Sequence, residues 1–179
     1  MTEALPLDSF NALDAEAAAA RVRSWLDCGW WVEQIVAGRP YDDLSAVEAA
    51  AVEFWRQTTP TQQLEAFAAH PLIGDVDALR AKFGARAQRA QAEQGQILGA
   101  DDHTLEQLAA GNRAYREKHG FIFIICASGI APSELLQQLQ RRLPNDSVTE
   151  RETAAAEQEQ IMRLRLKQAL TSSAGTSSA

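Results

Sequence analysis

Phe121-Ile122-Phe123-Ile124-Ile125-Cys126-Ala127 is the stretch on which the fold turns. Its β-branched and aromatic side chains favour extended backbone, yet the segments on either side of it have helical period. With no second strand candidate to pair with it, the sequence reads as an all-α protein holding one buried extended segment near 121–127. The N–H and C=O groups of such a segment lack ladder partners, and buried backbone groups must be satisfied somewhere. Two answers stay open: a polar ligand takes them, or helix ends and side chains do.

Outward from this stretch the signals are helical. On its N-terminal side, Asp101 or Asp102 caps a helix carrying Leu105, Leu108, Ala109, Asn112 and Tyr115 and ending at Gly120. On its C-terminal side Pro132 opens a helix to Arg142, and Ser147-Val148-Thr149-Glu150 has the spacing of a capping box for a last helix to Leu170. Further upstream, Asp75 heads a long helix through about Gln96, and Thr59-Pro60 opens one that runs to Ala69 and stops at His70-Pro71. Ser45-Ala46-Val47-Glu48 reads as another capping box, for a helix to about Gln57. Asp14 starts an Ala-rich helix broken by Gly29, and Trp30, Trp31, Ile35 and Val36 form a short one ending near Gly38-Arg39-Pro40. Trp25, Trp30, Trp31 and Trp55 fall at core spacings. The expected architecture is a single-domain helical bundle of about eight or more helices over residues 1–170, with a disordered Ser/Gly/Ala tail over 171–179.

Composition narrows the function classes. The chain has 179 residues, 46% hydrophobic and 23% charged, as in ordinary globular domains. A net charge of −7 with no Lys/Arg block argues against nucleic acid as a partner. The longest apolar run is too short to cross a bilayer, the N-terminus lacks the pattern of a signal peptide, and the C-terminus lacks a peroxisomal address. A cytoplasmic protein with no membrane association is therefore expected. Cys28 and Cys126, both in apolar surroundings, read as reduced core residues rather than a disulfide.

Few residues could carry chemistry. There is no His-x-x-x-His, no Cys-x-x-Cys, no ligand-spaced carboxylate cluster and no Gly-rich phosphate loop, so neither a metal nor another cofactor is expected. What remains is His, Glu/Asp, Arg and backbone. Of the three histidines, His70 sits between a helix end and Pro71, where the chain leaves αR and the helix dipole favours imidazolium. His103, in a polar first turn, and His119, beside Lys118 near a helix end, read as structural or surface residues. Taken alone, Glu93-Gln94 is a solvated helix face, and Arg165 is a surface arginine of an amphipathic helix.

Several motifs together nevertheless form a pattern. Cys28-Gly29-Trp30-Trp31-Val32, Arg39-Pro40-Tyr41, Trp55, His70-Pro71-Leu72-Ile73-Gly74-Asp75, Glu93-Gln94, Asn112-x-x-Tyr115-x-x-Lys118-His119-Gly120-Phe121-Ile122-Phe123-Ile124 and Ile161-x-x-Leu164-Arg165-Leu166 follow one another across residues 10–170. In order and spacing the chain resembles the OHCU decarboxylases (2-oxo-4-hydroxy-4-carboxy-5-ureidoimidazoline decarboxylases), which act in the conversion of urate to allantoin. The resemblance implies His70 as catalytic acid/base and Glu93 as its acidic companion. It implies Pro71, Gln94 and the segment Phe123, Ile124, Ile125, Cys126 and Ala127 as the substrate cradle, with Arg165 at the substrate's polar edge. Ala90 falls among these substrate-contacting positions, where many members have serine, and His119 replaces the usual phenylalanine. The implied partner is the small ureidoimidazoline made by urate oxidation. Some members are dimers, and the four tryptophans leave room for a homodimer interface. A non-catalytic helical interaction module derived from the family, or an acid/base enzyme for another ureido compound, are the rival readings. Joint retention of His70, Glu93, Gln94 and Arg165 argues against the first.

Overall fold

The structure, a computed structural model, describes residues 4–70 and 102–172. Among these are eight helices: α1 Leu7–Ala12, α2 Ala15–Arg23, α3 Gly29–Ala37, α4 Leu44–Arg56, α5 Pro60–Ala68, α6 Asp102–His119, α7 Pro132–Arg142 and α8 Ser147–Ala169. The all-α expectation therefore holds. The helix expected from Asp75 to Gln96 lies outside the described residues. One feature was not legible: the two-residue strands β1 Leu5–Pro6 and β2 Leu170–Thr171 pair in parallel, Leu5 with Leu170 and Pro6 with Thr171.

The described residues fall into two compact units, one of 4–69 with 156–172 and one of 70 with 102–155. In the first, α2 packs on α3 and α3 on α4. Phe10, Val22, Trp25, Trp31, Ile35, Val47 and Phe67 are fully enclosed. Trp31 donates its indole N–H to the Ala51 carbonyl at 2.9 Å, which satisfies a buried donor and ties α3 to α4. Trp30 departs from the core expectation: it is partly exposed and meets Phe54 edge-on at 6.3 Å. Arg39-Pro40-Tyr41 has a structural task. Arg39 Nη1 donates to the Phe10 and Leu13 carbonyls at 2.9 and 2.8 Å, closing the end of α1. Asn11 exchanges two hydrogen bonds with the Tyr41 backbone, at 2.9 and 3.0 Å.

In the second unit α6 packs on α7. Their approach is close at Gly111, where a Cβ would stand 2.6 Å from Leu139 Cδ2. Gly120, at φ 79°, returns its N–H to the Arg116 carbonyl at 2.9 Å and ends α6 in the left-handed conformation that glycine adopts freely.

Both Ser-headed capping boxes are corrected by the structure. For α4 the cap is Asp43, whose Oδ1 accepts from Ala46 N and from Ser45 Oγ, at 2.7 and 2.6 Å. For α8 it is Asp146, which accepts from the N–H groups of Val148 and Thr149 at 3.0 Å each. An aspartate one or two residues earlier outcompetes the serine because an ionised acceptor meets the helix dipole better than a hydroxyl. These bonds hold both carboxyls below the usual aspartate value. At α5, where Pro60 takes the first turn as expected, Thr59 and Gln62 form a reciprocal capping box that the sequence reading did not include.

Candidate active site

His70 owes its position to α5. Thr59, Pro60 and Gln62 fix where that helix starts; it closes at Ala68 with Ala69 as C-cap, and His70 follows at once, half-buried. His103 is exposed in the first turn of α6, as expected.

The extended segment is irregular. Residues 122–127 belong to no helix or strand: Phe121, Phe123 and Ile124 are enclosed, while Ile122, Ile125, Cys126 and Ala127 are half-buried. Tyr115, fully buried, meets the rings of Phe121 and Phe123 edge-on at 5.7 and 5.2 Å. Arg142, the last residue of α7, donates from Nη1 to the Ile124 carbonyl at 2.9 Å, with Cζ 4.6 Å from the Phe123 ring centroid. The guanidinium is paired in turn: Nε donates to Glu150 Oε1 at 2.7 Å. Glu150, 0% exposed, also accepts from Tyr115 Oη at 2.6 Å and from Asn145 Nδ2 at 2.9 Å. Burial, reinforced by the hydrogen bond and charge of Glu150, pushes the Tyr115 phenol well above its ordinary pKa, so it remains a donor. At Ile124, then, a side chain rather than a ligand satisfies the carbonyl.

Arg165 lies on α8 in the other unit, half-buried. Among the described residues its hydrogen-bond partner is the Trp25 carbonyl, at a long 3.4 Å. Burial lowers its pKa from the ordinary arginine value. A desolvated guanidinium held by one long bond contrasts with Arg142, which bonds Ile124 and Glu150 at short range, and it is chemically suited to an oxygen-rich ligand. Pro71, Ala90, Glu93 and Gln94 lie outside the described residues. Neither thiol is in a disulfide; that of Cys28 is fully buried, and burial pushes its pKa up.

Sequence reading missed two residues and left open whether a third, His119, is structural or at the surface. His119 is structural. It is 8% exposed, with Nδ1 3.0 Å from Ser147 Oγ and its ring 4.5 Å from that of Tyr115, so it fills an aromatic position as a flat ring. Arg142 and Glu150 were passed over although a signal existed. Arg142 continues the buried face of Leu135 and Leu139, and Glu150 heads a four-residue stripe with Ala154, Gln158, Met162 and Leu166, all buried. A charge on an apolar stripe marks a buried polar group that needs a partner.

Comparison with known proteins accords with this picture. A family model described as OHCU decarboxylase matches residues 11–167. The uric acid degradation bifunctional protein TTL of Arabidopsis thaliana is 36% identical over 139 residues, which are 76% of this chain and 42% of that protein; the chain thus spans less than half of it. A 2-oxo-4-hydroxy-4-carboxy-5-ureidoimidazoline decarboxylase of Amia calva is 30% identical over 131 residues, 73% of this chain and 74% of the relative. A crystal structure of OHCU decarboxylase determined in the presence of (S)-allantoin superposes with a TM-score of 0.68 at 30% identity, covering 86% of this chain and 96% of that one. With motifs in order, an all-helical fold and a match over most of its length, this chain belongs to the OHCU decarboxylase family.

Proposed function

We propose that this chain decarboxylates 2-oxo-4-hydroxy-4-carboxy-5-ureidoimidazoline to (S)-allantoin and CO2 in urate breakdown, as a single catalytic domain over residues 1–170. The observation that carries the reading is the family match over residues 11–167, supported by the likeness to an OHCU decarboxylase crystallised with (S)-allantoin.

The substrate's own chemistry explains why no added electron sink is needed. Its carboxylate is on a carbon that bears a hydroxyl and adjoins a ring C=N. When the C–CO2 bond breaks, its electron pair forms a C=C bond and the imine electrons move onto nitrogen, which takes a proton. The resulting enol loses its hydroxyl proton and gains one on the neighbouring carbon, giving the ketone of allantoin. Charge balances with one proton taken up for each carboxylate lost as CO2. The protein's contribution is orientation, charge complementarity and proton delivery to one face.

His70 is the acid/base for these transfers, and its place beyond the C-terminus of α5 supports that role by favouring the imidazolium. Glu93 supports the imidazolium with its charge. Arg165 binds the polar edge of the substrate, and its desolvated, loosely held guanidinium supports this. Gln94, Pro71 and the segment 123–127 cradle the ring, while Ala90 leaves one hydroxyl contact unmade. The enzyme acts in the cytoplasm on this small molecule. To test the proposal, freshly generated urate oxidation product is mixed with the protein and CO2 release is followed. Release accelerated in proportion to protein concentration is expected; release at the rate of buffer alone would refute it.

A further inference from the structure

We infer that Arg142, locked by Glu150, is a positioning residue that aims the backbone of the extended segment at the substrate. The inference rests on the proposed function and adds to it a residue that neither motif spacing nor the family pattern singled out.

The Ile124 carbonyl accepts from Arg142 Nη1 at 2.9 Å inside the second unit, beside the buried ring of Phe123. Among the described residues the Arg39–Pro40 bond is the cis peptide, so the Ile124–Ile125 unit is trans and planar. In a trans unit the C=O and the following N–H point in opposite directions. Fixing the Ile124 oxygen on a guanidinium in the core therefore turns the Ile125 N–H away from it. Beyond Ile124 the segment is more accessible: Ile124 is 2% exposed, whereas Ile125, Cys126 and Ala127 are half-buried. A cation on the carbonyl also polarises the peptide and strengthens its N–H as a donor.

The anchor is held from several sides. Glu150 receives Arg142 Nε, Tyr115 Oη and Asn145 Nδ2 at 2.7, 2.6 and 2.9 Å, and Tyr115 packs against both Phe121 and Phe123. Arg142 and Glu150 sit at the end of α7 and in the first turn of α8, so two helix termini jointly set one peptide plane. A segment with no sheet partner thereby acquires the rigidity that a sheet would have given it. Hydrogen-bond donors aimed in advance at developing negative charge avoid reorganisation when the reaction occurs.

Arg142→Lys keeps the charge but loses the fork that reaches Glu150 and Ile124 together. Because it could fail to fold, the double variant Arg142→Met/Glu150→Leu is tested beside it; a buried ion pair replaced by apolar groups of similar volume usually leaves a folded protein. Both are assayed for KM and kcat in decarboxylation, for (S)-allantoin binding by the Ile125 amide resonance, and for melting temperature. The expected result is a folded double variant with KM raised about tenfold, the worth of one well-aimed hydrogen bond, and an Ile125 amide that no longer shifts with (S)-allantoin. A purely structural role would reduce the folded fraction, lowering kcat while leaving KM unchanged, and that result overturns the inference. So does wild-type KM in the folded double variant. Wild-type protein that neither turns over the substrate nor binds (S)-allantoin would defeat the proposed function, and this inference with it.

Discussion

Glu150→Gln tests the buried polar centre more sharply than any other substitution. The side chain is 0% exposed and accepts three hydrogen bonds, from Arg142, Tyr115 and Asn145. Replacing it by the near-isosteric amide removes the charge at almost no change in volume. The amide oxygen still faces Arg142 and Tyr115, but as a neutral acceptor; its NH2 confronts the NH2 of Asn145, so one of the two must turn. Hydrogen bonds to a charged group contribute about 1.5–3 kcal/mol and neutral ones about 0.5–1.5, so the loss over three bonds comes to about 3 kcal/mol. With a urea slope of about 2 kcal/mol/M for a chain of this size, the unfolding midpoint should fall by about 1.5 M. The control is Glu159→Gln. Its partners Arg56 and Arg163 are 63% and 38% exposed, so that loss stays within about 1 kcal/mol. Equilibrium urea unfolding followed by circular dichroism reads both. Equal midpoint shifts for the two variants, or a shift below about 0.5 M for Glu150→Gln, would refute the claim that the buried charge of Glu150 is what satisfies its three partners.

Other outcomes follow from the candidate site. His70→Asn should lower kcat/KM by about 10² to 10⁴ with helical circular dichroism intact, while His103→Asn, exposed on α6, should change little; similar behaviour of the two would remove His70 from the chemistry. Arg165→Lys should raise KM more than it lowers kcat, because the planar fork is lost and the charge kept; normal KM with collapsed kcat would place Arg165 in the proton transfers instead. Glu93→Gln should move the alkaline limb of the pH–rate profile to lower pH, since loss of a neighbouring carboxylate lets the His70 proton leave sooner; an unchanged profile would return Glu93 to the solvent. Asp43→Ala should lower the melting temperature more than Ser45→Ala, because Asp43 is the group that accepts the Ala46 N–H; the reverse order would restore the Ser45 cap.

Legibility differed by the range of the interaction. The start of α5 at Thr59-Pro60, the start of α7 at Pro132 and the close of α6 at Gly120 could be read because each depends on residues within a turn of one another. The caps of α4 and α8 were misplaced because serine–glutamate spacing matches a motif that a nearby aspartate takes over. Glu150 illustrates the conflict: as the fourth residue of a box it should fold back on its own helix, but it turns inward to Arg142 and Tyr115, eight and 35 residues away. The pairing of Leu5 with Leu170 has no local signal at all. For the site, local sequence located His70 at a helix end and marked residues 121–127 as backbone in need of partners. It left open whether a ligand or a side chain meets that need, because the answer at Ile124 depends on an arginine 18 residues away.

The central claim concerns stereospecific proton delivery, and the optical activity of the product tests it most directly. The neighbouring carbon that receives the proton is planar in the enol left by loss of CO2, so in buffer alone the proton arrives on either face and the allantoin formed is racemic. In a binding site one face is presented to the acid. When urate oxidation product is generated in the cuvette and followed by circular dichroism, the protein should drive growth of the (S)-allantoin signal at a rate proportional to its concentration, and His70→Asn should abolish that growth. Allantoin formed with no circular dichroism signal, at the rate seen without protein, would contradict the account.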